Sequence, residues 1–124
     1  MAGDKARVLV VDDEKDIVEM MQGFLSMFSY NVSSADNGKR ARELFAENKY
    51  ELCLMDLKLP DVSGFDLLKE FRSQNSDIKV IIITGSSNQY EDELIALGAD
   101  YILHKPIALK ELVFQMNRLL SAGT

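Results

Sequence analysis

The chain has little of what would staple, span or target a protein. Among 124 residues there is one cysteine, Cys53, one histidine, His104, two prolines and no tryptophan. A lone cysteine excludes an internal disulfide. Its place within an apolar run gives it the plain reading of a small buried hydrophobe, as expected of a chain kept in a reducing, cytoplasmic compartment. No segment approaches the ~20 consecutive apolar residues of a membrane-spanning helix, so no membrane association is expected. The first five residues, Met1 to Lys5, carry no apolar run followed by small residues and do not read as a secretory signal. Positive charge is also short: 14 Lys and Arg stand against 20 Asp and Glu, a formal net charge of −6. Such a chain repels a phosphate backbone, so direct nucleic-acid binding is not expected, and any DNA target would need another domain.

What remains is the composition of one ordinary globular domain, 47% hydrophobic and 27% charged, at a length that buries a continuous core without staples. Two kinds of segment alternate along it. Arg7 to Val11, Tyr50 to Met55 and Lys79 to Ile83 are short aliphatic runs with little polar alternation, which predicts strands buried on both faces, as in a parallel sheet. Tyr30 to Ser34 and Asp100 to His104 are more polar and are placed at the sheet edges.

Between these runs the apolar residues step by three and four, the signature of helices with one inward face. The first helix presents Ile17, Met20, Met21, Phe24, Leu25 and Phe28, with Glu14 and Asp16 favourably at its start. The second presents Ala41, Leu44 and Phe45, the third Phe65, Leu68 and Phe71, and the fourth Tyr90, Leu94, Ile95 and Leu97 before a stop at Gly98. The fifth presents Leu109, Leu112, Val113, Met116, Leu119 and Leu120. Five strands and five helices in strict alternation predict an α/β, doubly wound (βα)5 three-layer sandwich. Its parallel five-stranded sheet has the order 2-1-3-4-5, and its ligand crevice lies beyond the carboxyl ends of the strands. One domain over residues 1–124 is expected, with an ordered core over about 5–120 and no output domain. The tail from Ser121 to Thr124 is either a chain end or the start of a linker.

The residues just after each strand then decide what the crevice holds. They are Asp12 and Asp13 after the first, Asp56 after the third, Thr84 after the fourth, and Lys105 with Pro106 after the fifth. Each alone has a plain explanation: an Asp as a helix N-cap, Thr84 as a β-branched strand end, Lys105 as a solvated charge. Together they do not. Carboxylates a few ångströms apart repel by about 4 kcal/mol per close pair at an effective dielectric near 20, so the cluster calls for a cation. Oxygen donors without histidine or thiolate favour a hard ion, and two or three carboxylates completed by water suit Mg²⁺ better than a full calcium cage. An Asp between a divalent cation and an ammonium group has the positioning and charge neutralisation that phosphoryl transfer needs, with Asp56 as nucleophile.

These residues resemble a known family. Val11-Asp12-Asp13-Glu14, Met55-Asp56-Leu57-Lys58-Leu59-Pro60-Asp61-Val62-Ser63-Gly64, Thr84-Gly85, Gly98-Ala99-Asp100 and His104-Lys105-Pro106 look like the successive signature blocks of response-regulator receiver domains. The chemotaxis member CheY is an example of the same doubly wound order. The resemblance runs from about Lys5 to about Leu120. It implies Asp56 as phosphoacceptor, Asp13 and Asp56 as direct Mg²⁺ ligands, Asp12 as a mostly water-mediated one, and the backbone carbonyl of Lys58 as a further ligand. Thr84 would bond a phosphoryl oxygen and Lys105 would pair with the phosphoryl group. Pro106 would follow a cis peptide bond, and Pro60 and Gly64 would shape the loop after Asp56 as turn formers. The donor would be a sensor histidine kinase or a histidine phosphotransfer protein. The output would pass to a downstream protein or a detached output domain through the fourth helix, fifth strand and fifth helix. The domain would not be an enzyme in its own right, although phosphorylation from small donors and self-dephosphorylation are expected.

The chain departs from the family at the switch. Three residues before the lysine, where the family usually has Tyr or Phe, stands Ile102. The aromatic sits one step earlier, at Tyr101, and strand alternation turns it to the other face. Ile107 replaces the common Phe after Lys-Pro. This admits a second reading, a receiver-fold interaction module that works without phosphorylation. Lys58 reads as ion-pairing near the phosphoryl group or simply solvated, Ser86 as leaving the site open, and His104 as structural. The Tyr90 to Glu93 stretch reads as a solvated helical turn. A haloacid-dehalogenase-like phosphatase would need a second Asp where Lys58 stands. A flavodoxin-like loop would need hydroxyl and amide donors where three acids stand.

Overall fold

A computed structural model describes residues 6–85 and 90–121. In chain order the elements are β1 (Arg7–Val11), α1 (Lys15–Ser26), β2 (Asn31–Ala35), α2 (Gly38–Glu47), β3 (Leu52–Asp56), α3 (Gly64–Gln74), β4 (Lys79–Thr84), α4 (Glu91–Ala96), β5 (Tyr101–His104) and α5 (Leu109–Ser121). All strand pairings are parallel and the order is β2-β1-β3-β4-β5. This is the doubly wound α/β architecture expected from the alternation of the runs.

The aliphatic runs are buried on both faces because helices cover both. Val8 and Val10 of β1, Leu52 and Leu54 of β3, and Ile81 and Ile83 of β4 pack with Met21 and Leu25 of α1 and with Leu112, Met116 and Leu119 of α5. The alternate residues Leu9, Val11, Cys53, Met55, Val80 and Ile82 face Ala41 of α2, Leu67, Leu68 and Phe71 of α3, and Leu94 of α4. A period of two along each strand thus feeds two separate cores, one on either side of the sheet. Cys53 is fully buried, and desolvation pushes its thiol far above the ordinary range, as expected of an inert hydrophobe.

Several side chains expected inward lie outward. Met20 and Phe28 are exposed. The buried stripe of α1 is the narrower Met21 and Leu25 pair, flanked by Ile17, Val18 and Phe24. The helix ends at Ser26 and the chain turns through Ser29 at φ 67°, so Phe28 no longer follows the helical period. In α4 only Leu94 is buried among the helical residues, because six residues make fewer than two turns. Ile95 is turned to solvent. Tyr90 stands at the N-cap with its ring edge-on to Phe65, centroids 5.5 Å apart. Strand bounds also move by one or two residues: β2 starts at Asn31 rather than Tyr30, β3 at Leu52 rather than Tyr50, and β5 at Tyr101 rather than Asp100. The stop at Gly98 is as expected, in the left-handed region at φ 112°, where glycine meets no Cβ penalty.

Candidate functional site

Strand ends build the site, and the register of the sheet aligns them. Val11 at the end of β1 pairs with Met55, and Asp56 at the end of β3 pairs with Ile83, so Asp12, Asp56 and Thr84 emerge along one edge. Asp12 is 1% exposed, Asp56 6% and Thr84 3%, which marks a cluster drawn into the sheet rather than a solvated rim. Asp13 is exposed beside them. One carboxylate oxygen from each of Asp12, Asp13 and Asp56 lies within 4.8 Å of the others.

Local hydrogen bonds aim the two buried acids. Asp12 Oδ1 accepts from the Glu14 amide at 2.9 Å, so the residue expected as a possible helix cap instead pins the turn into α1. Asp56 Oδ1 accepts from the Lys58 amide at 3.1 Å, and the Lys58 backbone is held in turn by a β-bridge to Ser63. Lys105 arrives from the other side. Its amide donates to the Thr84 carbonyl at 2.9 Å, and the peptide bond to Pro106 is cis, as expected. Its Nζ lies 3.0 Å from Asp56 Oδ2 and 3.3 Å from Asp12 Oδ2, and it is ion-paired with Glu14 Oε1. Burial opposes the Lys105 charge, but hydrogen bonds to Glu14 and Asp56 and the nearby carboxylates outweigh it and raise its pKa. It is a fixed ammonium.

One ammonium does not balance this edge. The carboxylates of Asp12, Glu14 and Asp56 surround it, and that of Asp13 lies beside those of Asp12 and Asp56. The Asp12 carboxyl is held above its ordinary value chiefly by burial, with the Asp56 charge adding to the effect against the pull of the Glu14 amide and Lys105. Asp12 Oδ2 is buried and accepts no hydrogen bond, with only the 3.3 Å ion-pair contact to Lys105 Nζ beside it. An all-oxygen donor set with an unsatisfied buried carboxylate oxygen fits a hard divalent cation.

The comparisons agree with that geometry. Residues 8–117 match the family model described as the response regulator receiver domain. The chain belongs to the response regulator receiver domain family. It is a phosphoacceptor signalling domain rather than an enzyme in the usual sense. Its acidic pocket of Asp12, Asp13 and Asp56, with Lys105, is consistent with phosphorylation on aspartate. The response regulator SaeR of Staphylococcus aureus is 35% identical over 115 residues, 92% of this chain and 50% of SaeR. The chain thus spans about half the length of the curated relatives it matches. The non-phosphorylated HemR receiver domain of Leptospira biflexa superposes with a TM-score of 0.88 at 30% identity, covering 94% of this chain and 95% of that one. TrrA of Thermotoga maritima, solved in complex with Mg²⁺-BeF, superposes with a TM-score of 0.84 at 32% identity, covering 93% and 99%.

The remaining sequence candidates sit around this cup. Gly64 donates its amide to the Leu57 carbonyl at 2.9 Å. A Cβ there would fall 2.6 Å from Leu57 Cα and 2.7 Å from the Asp56 carbonyl oxygen, so glycine is required by close backbone approach rather than by a turn conformation. Pro60 is exposed in the same loop. Ile102 packs into the α2-α3-α4 side and Tyr101 into the α1-α5 side, as strand alternation predicts. The Tyr101 hydroxyl donates to Glu111 at 2.5 Å, while His104 Nε2 lies 2.7 Å from Glu91 Oε2, so both are tied to neighbouring helices. The Lys58 side chain is exposed, and Ser86 lies outside the described residues.

Two residues were not singled out as site residues from the sequence. Glu14 contacts Lys105 across 91 positions; its place directly after two ligand-type acids was the available signal. Asp61 accepts from the Gly38 and Lys39 amides at 2.7 and 3.0 Å and so anchors the loop after Asp56 to the start of α2. These bonds hold its carboxyl below the ordinary range. A cavity of about 780 Å³ opens at the opposite, amino edge of the sheet and touches none of the site residues.

Proposed function

We propose that Asp56 accepts a phosphoryl group from a histidine of a sensor kinase or phosphotransfer protein, in a Mg²⁺-dependent reaction, and that the modified domain relays this state to a protein partner. The observation that carries the reading is the contact of the Lys105 ammonium with Asp56 Oδ2 at 3.0 Å beside three clustered carboxylates. An Asp56 carboxylate oxygen forms the new P–O bond while the P–N bond of the donor breaks, and the leaving imidazole keeps the electron pair. Asp13, Asp56 and the Lys58 backbone carbonyl, with Asp12 mostly through water, would hold Mg²⁺, which would supply positive charge toward the phosphoryl oxygens. TrrA in complex with Mg²⁺-BeF supports that ion for this chain. Lys105 pairs with one phosphoryl oxygen, and the Thr84 hydroxyl, at the buried end of β4, bonds another. The Lys58 amide, already bonded to Asp56 Oδ1, keeps the carboxylate from rotating.

The output in this reading leaves through α4, β5 and α5 to a downstream protein or to an output domain beyond these 124 residues, which form a single receiver unit. Ile95 and Phe114 are exposed large apolar side chains on α4 and α5, and the Tyr101–Glu111 and His104–Glu91 contacts lie between them. No described helix is long and apolar enough to cross a membrane; we place the domain in the cytoplasm with its kinase. A phosphorylation-independent interaction module is the second reading, favoured by Ile102 in place of a ring that could swing between buried and exposed positions.

Incubation with Mg²⁺ and acetyl phosphate, read by intact mass, is expected to add one phosphoryl group to the wild type and none to Asp56→Asn, with both proteins folded. Modification of Asp56→Asn would show that another residue is the acceptor. An unmodified wild type would favour the second reading.

A further inference from the structure

We propose that Glu14 is a positioning residue that competes with the phosphoryl group for the Lys105 ammonium and so sets how tightly the site holds an anion on Asp56. The proposal rests on the reading of Asp56 as phosphoacceptor.

Glu14 stands at the N-cap of α1, where Ser, Thr, Asp or Asn would ordinarily bond the free amides of the first turn; its side chain makes no such bond. The backbone around it is fixed instead. Its amide donates to Asp12 Oδ1 at 2.9 Å and its carbonyl accepts from Val18 at 3.1 Å. An acid of the metal cluster therefore determines where the Glu14 side chain begins, and that side chain crosses the mouth of the site to Lys105.

Donor counting gives the contact its consequence. An ammonium has three N–H donors, and three carboxylates, those of Asp12, Glu14 and Asp56, surround Lys105 Nζ. Lys105 Nζ is hydrogen-bonded to Glu14 and Asp56 and ion-paired with Asp12 Oδ2 at 3.3 Å, so a phosphoryl oxygen that reaches it competes with carboxylates already in place. The side chains of Asp12 and Asp56 are 2% and 7% exposed, whereas that of Glu14 is 56% exposed. In the loaded site Asp56 would carry the phosphoryl group and Asp12 would face the metal, whereas Glu14 has neither and on release returns to water. Glu14 is thus the partner that leaves, and its attraction to Lys105 opposes the arrival of the anion.

The test uses beryllofluoride with saturating Mg²⁺ as the probe, measured by calorimetric titration on wild type, Glu14→Gln, Glu14→Asp, Lys105→Gln and the double variant Glu14→Gln/Lys105→Gln. Glu14→Gln is expected to bind the probe about three- to tenfold more tightly than wild type, the range of one lost competing charge-assisted contact. Glu14→Asp keeps the charge but not the reach and is expected to behave like Glu14→Gln. In the Lys105→Gln background the Glu14 substitution is expected to change nothing. An equal gain in that background, or wild-type affinity in Glu14→Asp, would mean that the effect is only the general field of one carboxylate and would overturn the proposal. So would unchanged or weaker binding by Glu14→Gln. A wild type that takes neither the probe nor a phosphoryl group would instead bring down the assignment of Asp56.

Discussion

Two charged clusters lie in this fold, and they are built on opposite principles. At one, Arg72 of α3 donates through Nη1 to the carbonyls of Ser76 and Ile78 at 3.0 and 2.6 Å, and through Nη2 to the Gly98 carbonyl and to Asp100 Oδ2 at 3.0 Å. Asp100 Oδ2 also accepts from the Val80 amide at 2.8 Å. One cation meets one anion, and only Arg72 Nε is left without a partner. The cluster ties α3, the start of β4 and the turn before β5 into one piece. At the other, three carboxylates share a single ammonium with a fourth, Asp13, beside them, and a buried oxygen of Asp12 accepts no hydrogen bond. The first cluster closes on itself and gives rigidity; the second carries a surplus of negative charge that a ligand must complete. Balance of charge, not burial alone, separates the structural clip from the site.

The largest effect that would break this contrast is expected at the clip. Arg72→Ala leaves a half-buried Asp100 and three carbonyls without their donor and should cost about 3 kcal/mol of stability, read by urea unfolding. The folded fraction should still accept a phosphoryl group. If the variant is as stable as wild type, the clip is not structural.

The site should respond in the opposite direction. Asp12→Asn removes one charge from the surplus and should stabilise the metal-free protein by about 1 kcal/mol at neutral pH, while abolishing most of the stabilisation by added Mg²⁺. The sign with pH follows from the raised Asp12 carboxyl. The folded state binds this proton more tightly than the unfolded chain, so ionised Asp12 destabilises the fold. The penalty is absent below 3.8, the ordinary value of the group, and grows as pH rises above it through the folded value. Thermal melts without metal should therefore fall more steeply with rising pH in that window for wild type than for Asp12→Asn. Equal slopes would show that the cluster is not frustrated.

The smallest effect is expected at the surface. Arg42 Nε and Nη2 form a two-point pair with Glu70 at 2.7 Å each, and the two side chains are 43% and 37% exposed. Arg42→Ala should cost at most about 1 kcal/mol and lose that effect in high salt. A larger, salt-insensitive loss would blur the distinction between a pair on the surface and the clip beneath it.

Much of this was legible in the chain itself. Aliphatic runs such as Val8 to Val11 and Val80 to Ile83 have one physical use, a strand covered on both faces, and their alternation with amphipathic segments leaves few topologies. Polar residues directly after those runs then fall on one edge, which is why Asp12, Asp13, Asp56, Thr84 and Lys105 could be named by position. Inward and outward faces were less legible where helices are short or end early. Met20, Phe28 and Ile95 fit a helical period, but period alone does not fix how wide a stripe the neighbouring layer covers.

The sequence by itself determined the order of elements, the sheet edge on which the chemistry collects and the sign of its charge, because these follow from local periodicity and right-handed crossovers. Only the tertiary structure decided that Lys105 is shared among three carboxylates, that Glu14 is one of them, and that Gly64 is required by the backbone of Leu57 rather than by a turn. Those are contacts between atoms brought within a few ångströms by packing, over separations such as the 91 positions between Glu14 and Lys105. No local preference of either residue encodes them.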